Sequence, residues 1–170
     1  MEEFCGCPGS KMQDFRGKEE AADDSGKPEG GGLASDSQSH KRASQLKQWP
    51  IQLHLISPMA PYYQKADVLL SADCVAYAAG DFHKDYLKGK SIAIACPKLD
   101  EGQEVYSEKV QSLIDDAKIN TLTVMTMQVP CCAGLVSIAQ QGASSAKRKI
   151  PIKSIVVSLQ GEVLSEEWVN

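Results

Sequence analysis

Six cysteines fall in four short motifs: CGCPGS at Cys5 and Cys7, ADC ending at Cys74, ACPKLD at Cys96, and VPCCAGL at Cys131 and Cys132. Thiolates are the ligands of iron–sulfur clusters and of many zinc sites, and a free thiolate is itself a redox group. An iron–sulfur cube is usually held by four Cys thiolates. Cys74, Cys96, Cys131 and Cys132, or a subset completed by Cys5 or Cys7, supply that number. The expected cofactor is therefore an iron–sulfur cluster of the 4Fe-4S type. Zinc competes, but its protein sites usually pair ligands at CxxC or HxxxH spacing, and neither occurs here. The CxxCxxCxxxCP run of bacterial ferredoxins is also missing. A free Cys can be no more than a small buried hydrophobe. That explanation suits one or two isolated thiols better than six gathered in motifs.

The adjacent pair Cys131 and Cys132 has alternative roles. On a strand their side chains would point to opposite faces, whereas at a strand-to-helix turn both can face one site. A vicinal disulfide, or metal-free thiol redox chemistry, is the rival use. His83 reads as a solvated surface histidine. It can offer a ring nitrogen to the cysteines only if residues 75–83 curl back as a loop, since nine residues of continuous helix span about 13 Å. Asp73, Asp100 and Lys98 flank the cysteines; capping explains Asp100 and solvent exposure explains Lys98. Met125 and Met127 alternate on a strand and belong to the core. Gly89-Lys90-Ser91 is no phosphate loop, because it precedes a strand and its first glycine is missing, and Gly30-Gly31-Gly32 lacks a strand-turn-helix setting.

The elements that must position these thiols are legible as alternating strands and helices. Apolar, β-branched runs at 51–56, 68–72, 91–95, 121–127 and 154–159 read as strands, without the strict alternation of a half-exposed sheet. Strands covered on both faces look this way. Asp100 with Gln103 resembles the start of a helix whose stripe is Tyr106, Val110, Leu113, Ile114 and Ala117. After Cys132 a second helix places Leu135, Ile138, Ala139, Gly142 and Ala146 on one face, with small residues for close approach to the sheet. The stretch 75–87 is interrupted at Gly80-Asp81. The expected fold is α/β: a doubly wound, mostly parallel sheet of about five strands with helices on both faces. Cys74, Cys96 and the Cys131-Cys132 pair each lie just past a strand, at the edge where open parallel sheets bind ligands. Helix N-termini there favour thiolates and an anionic cluster.

Around this domain, expected at 44–170, the chain divides into a cysteine-containing segment at 1–10 and a Gly-, Ser- and charge-rich stretch at 11–43 that reads as a flexible linker. Trp49 beside Pro50 is the expected packing anchor where linker meets domain. Acidic and basic residues are interspersed in the 170-residue chain, 22 against 18 for a formal charge of −4, so no nucleic-acid partner is expected. The polar start MEEF and the lack of a long apolar run lead to the expectation of a soluble, cytoplasmic protein without membrane attachment. In such a chain six cysteines do not suggest a disulfide framework.

The segments CGCPGS, SQLKQWPIQLHL, ADVLLSADCVAYAAGDFHKDYLKGK, ACPKLD and VPCCAGL resemble the C-terminal cysteine-rich domain of a family of 4Fe-4S ferredoxin-like iron–sulfur binding proteins from anaerobic bacteria and archaea. The likeness spans nearly everything except the linker. It implies cluster binding and redox function, carried by Cys5, Cys7, Cys74, Cys96, Cys131 and Cys132. The two-cluster ferredoxin module that precedes this domain in many members has no counterpart in these residues. Taken together, the expectation is an electron-transfer protein or accessory redox subunit of anaerobic metabolism, working with a redox partner protein. The alternatives are a metal-free thiol redox sensor or partner-binding module, and an enzyme with an open-site cluster.

Overall fold

A computed structural model describes residues 8–17 and 43–169. Two short strands come first, β1 (Gln13–Asp14) and β2 (Gln48–Trp49), paired antiparallel. Then follow β3 (Asp67–Ala72), α1 (Val75–Ala78), a π-turn at His83–Leu87, β4 (Ser91–Ala95), α2 (Glu104–Asp115), β5 (Thr121–Met127), a 3-10 turn at Pro130–Cys132, α3 (Ala133–Ser145), β6 (Ile152–Val157) and β7 (Val163–Trp168). The main sheet has five strands in the order β4-β3-β5-β6-β7. All neighbours are parallel except β6 and β7, which form an antiparallel hairpin.

This is the expected doubly wound α/β architecture, built from the expected residues at its centre. Val68 to Ala72 of β3 and Leu122 to Met127 of β5 are all buried, because layers cover both sheet faces. From β3 the chain crosses to β4 on one side, then returns past β3 to β5. With right-handed crossovers this reversal puts α1 on one face and α2 with α3 on the other. The α2 and α3 helices meet where Gly142 faces Val110; a Cβ on Gly142 would lie 2.6 Å from the Ser107 carbonyl oxygen and 2.7 Å from Val110 Cβ. The small residue on α3 thus permits helix–helix approach, where the sequence suggested approach to the sheet.

Three sequence expectations are corrected. The run 51–56 is no strand: only Gln52 bridges to Ile94, and the chain then turns, with Leu55 and Ile56 donating their N–H groups to the Gln52 carbonyl. The fifth strand of the sheet is instead β7, at the opposite end. Its residues are almost all exposed, so it carries no apolar run. Asp100 does not cap α2, which begins at Gln103 without a side-chain cap. Of the stretch read as linker, residues 11–17 include β1, and residues 18–42 lie outside the described residues, as do Cys5 and Cys7. Among the described residues no helix is long and apolar enough to cross a membrane.

The free edge of β4 is closed by the chain that precedes it. The buried Gln48 amide accepts from the Ile92 N–H at 2.9 Å and donates to the Ile92 carbonyl at 2.9 Å and to the Tyr63 hydroxyl at 3.0 Å. Further along, the Leu53 N–H donates to the Ile94 carbonyl and the Ile94 N–H to the Ile51 carbonyl, each at 2.8 Å. Trp49, half-buried, donates its ring N–H to the Gly9 carbonyl at 2.5 Å, tying residues 8–17 to this flank.

Candidate functional site

The strand order places the thiols. Residues Ala72 and Ala95 are register partners, and β5 runs alongside with Ser71 opposite Met125. Cys74, Cys96 and the Cys131-Cys132 pair therefore leave the carboxyl ends of three neighbouring strands, β3, β4 and β5. Neighbouring strands lie about 4.8 Å apart, so the outer two are separated by roughly 10 Å. The connection after β3 runs toward β4 and the one after β5 toward β6, so β3 and β5, parallel neighbours, flank a topological switch point where the following loops diverge and open a crevice. Cys74 stands on one side of that crevice and Cys131 with Cys132 on the other.

Each thiol is held differently. Cys74 precedes α1 and is exposed, its carbonyl taking the N–H groups of Tyr77 and Ala78. Cys131 is exposed and Cys132 buried, in the 3-10 turn that leads into α3. Burial pushes the Cys132 thiol up from its ordinary pKa; a hydrogen bond with the Met127 backbone opposes this, while a hydrogen bond with Cys131 and the charges of Cys131 and Cys74 add to the rise. These interactions put Cys74, Cys131 and Cys132 in one neighbourhood, with Cys131 exposed and Cys132 buried.

Cys96, half-buried, sits in a loop closed on itself. Its N–H donates to Asp100 Oδ2 at 2.8 Å, and its carbonyl accepts from Leu99 at 3.2 Å and Asp100 at 3.0 Å. The same Asp100 Oδ2 takes the hydroxyl proton of the fully buried Tyr106 at 2.5 Å. Gln103 donates its side-chain amide to the Pro97 carbonyl at 2.5 Å and the Asp100 carbonyl at 3.1 Å. The loop also reaches the other thiols: a Cβ on Gly134, in the first turn of α3, would lie 3.2 Å from Pro97 Cβ. The missing side chain lets the Cys96 loop rest on the helix that follows Cys131 and Cys132.

Asp73 joins this edge from β3. One of its oxygens, Oδ1, is buried without a hydrogen-bond partner among the described residues. Burial raises its pKa first, the charge of Asp100 second, and a hydrogen bond with Gln52 opposes both. His83 faces elsewhere: its Nδ1 accepts the Gln45 N–H at 3.1 Å. Met125 and Met127 are core residues and Lys98 is exposed, as expected.

The sequence assigned Tyr106 and Gln103 only to the stripe and start of a helix and gave no place to His54, whose ring packs on Tyr106 at 4.6 Å between centroids. The signal was a tyrosine on an otherwise aliphatic stripe, since a buried hydroxyl needs a partner. Among the described residues no three Cys, His, Asp or Glu side chains stand together as a ready-made ion site. The donors suit a thiolate-ligated group in kind and in edge position.

Comparison with known proteins agrees with the architecture. A protein of Archaeoglobus fulgidus described as uncharacterized is 27% identical over 121 residues, covering 70% of this chain and 83% of that protein. No solved structure matches. The family model for a Rossmann-like domain matches residues 60–170, the span that holds the whole main sheet and all four described cysteines, and the chain belongs to that Rossmann-like domain family.

Proposed function

We propose that the chain is an iron–sulfur protein, with Cys74, Cys96, Cys131 and Cys132 as the ligands of a cluster of the 4Fe-4S type and Cys5 or Cys7 as further donors. It serves electron transfer, or an accessory redox subunit in anaerobic metabolism, with a protein as redox partner. The observation that supports this is that four cysteines follow the carboxyl ends of three neighbouring strands at one edge of the sheet. A bound cluster supplies one-electron chemistry there. The chain's own part is to hold the sulfurs: burial and the loop hydrogen bonds fix Cys132 and Cys96, while Cys74 and Cys131 remain open to solvent. The likeness to ferredoxin-like iron–sulfur binding proteins supports the same reading.

Anaerobic purification with iron and acid-labile sulfide analysis is the test. Stoichiometric iron and sulfide, lost in Cys74→Ser and Cys132→Ser, are expected. A colourless protein holding zinc, or no metal after anaerobic reconstitution, overturns it. Cys5→Ser with Cys7→Ser reports whether the N-terminal pair contributes: unchanged cluster content and air stability would remove them. Spectral change and turnover with a defined small molecule would mark an enzyme rather than a carrier.

One observation favours a second reading, a metal-free thiol redox module: Cys131 and Cys132 are adjacent in one 3-10 turn. Against it, reactive thiols generally have lowered pKa values, and burial moves Cys132 the other way. Reversible two-electron oxidation retained in metal-free protein would select this module.

A further inference from the structure

We propose that Asp100 is the positioning residue for Cys96, locking the loop Cys96–Asp100 so that this thiol enters the site from a fixed backbone. The inference rests on the proposed role of Cys96 at the thiol site. One carboxylate oxygen, Asp100 Oδ2, takes both the Cys96 N–H at 2.8 Å and the Tyr106 hydroxyl at 2.5 Å. Tyr106 is anchored on α2 and wholly buried. The lock therefore ties the backbone of a thiol-bearing loop to the packed core, through a carboxylate that looked like an ordinary helix cap in the sequence. The Cys96 carbonyl is also used, by Leu99 and Asp100. With both backbone groups occupied, the side chain is the part of Cys96 left to act outside the loop.

The other strand-end thiols lack this arrangement. At Cys74 the carbonyl simply begins α1, with no side-chain cap. At Cys132 the N–H goes to the Val129 carbonyl at 3.1 Å inside the turn. Pro97, packed against Gly134, extends the lock toward the Cys131-Cys132 turn. Asp100 thus sets where Cys96 stands relative to the pair across the crevice. A hydrogen bond to a charged group is stronger than one between neutral groups, so removing the carboxylate frees the loop more than loss of an ordinary turn contact would.

The test uses the full chain, reduced and metal-free, and reads two local quantities: hydrogen exchange at the Cys96 amide, and iodoacetamide alkylation of Cys96 against Cys74 by mass spectrometry at one pH. In Asp100→Ala, both Cys96 quantities should rise roughly 10- to 100-fold, the range set by one lost charge-assisted hydrogen bond, with Cys74 unchanged. Asp100→Asn keeps a carbonyl acceptor and should stay within a few-fold of the parent. Tyr106→Phe, which leaves the Cys96 N–H bond in place, should fall between them and replaces Asp100→Ala if that variant does not fold. Unchanged Cys96 rates, or equal acceleration of Cys74 and Cys96, overturn the proposal. Cluster content is measured separately on the parent chain, so absence of a cluster and absence of the lock are distinguishable results.

Discussion

The two flanks of the sheet are built on opposite plans. At the β4 flank the edge strand is buried, and its outward groups are taken by the Gln48 amide and by Ile51 and Leu53. At the β7 flank the strand is exposed along almost its whole length; the side-chain contacts across it are the Lys153–Glu166 ion pair and Lys153 over the Trp168 ring at 4.7 Å. The thiols lie on the closed side: Cys96 follows β4 itself, and Cys74 and the Cys131-Cys132 pair follow the next two strands. The hydrogen-bonded covering is thus on the flank that carries Cys96, while the far edge bears the acidic residues Glu162, Glu166 and Glu167 on its strand and turn. Charge on an edge discourages further strand pairing.

Four substitutions would break or sharpen that contrast. Gly161, in the turn joining β6 to β7, has φ +90, and a Cβ there would lie 2.2 Å from the Ala78 carbonyl oxygen. Here the open flank meets α1 tightly. Gly161→Val combines backbone strain with overpacking and should cost about 3–5 kcal/mol, read by denaturant unfolding; a loss below about 1 kcal/mol would show that the hairpin is detached from α1. Gln48→Ala should cost about 2–4 kcal/mol by leaving the Ile92 backbone groups unpaired in the core, with faster hydrogen exchange at Ile92. A neutral result would remove the distinction between the flanks.

A smaller effect, opposite in sign, is expected at Asp73. An acid whose folded pKa lies above its ordinary 3.8 binds its proton more tightly when folded. Its favourable contribution is full below 3.8 and is lost as the pH rises through the folded value, where the partly buried carboxylate ionises. Asp73→Asn should therefore stabilise the metal-free protein at pH 7 by less than about 1 kcal/mol, since water screens a group this exposed, and should make no difference at pH 3. Destabilisation at pH 7 would mean that the hydrogen bond with Gln52 outweighs the burial of the charge. Smallest of all, Trp168→Ala should cost about 0.5 kcal/mol, the size of an exposed cation–π contact. A thermal midpoint shift as large as that of Gln48→Ala would place the β7 flank among the structural elements.

The central strands were legible because burial on both faces leaves a run of apolar and β-branched residues, as in Val68 to Leu70 and Leu122 to Met127. The helix stripes at Tyr106, Val110, Leu113 and Ile114, and at Leu135, Ile138 and Ala139, were legible for the same reason, since each helix hides one face. The ends of the sheet were not. Ile51 to Ile56 is as apolar as a strand, yet those residues turn over the core, and β7 reads as polar because both of its sides meet water.

Residue order alone put four cysteines just past apolar strands, and so fixed their common edge: parallel connections send every such loop to the same end of the sheet. Tertiary structure decided the rest. The strand order made β3 and β5 neighbours and opened the crevice between Cys74 and the Cys131-Cys132 pair. A 3-10 turn holds the adjacent Cys131 and Cys132 with one exposed and the other buried, and Gly134 admitted Pro97. Asp100 accepts from the Cys96 N–H and the Tyr106 hydroxyl instead of capping α2, a local arrangement within residues 96–106 that the residue types alone did not specify. Local spacing says which groups share an edge; which strands carry them side by side is set by packing between elements far apart in the chain.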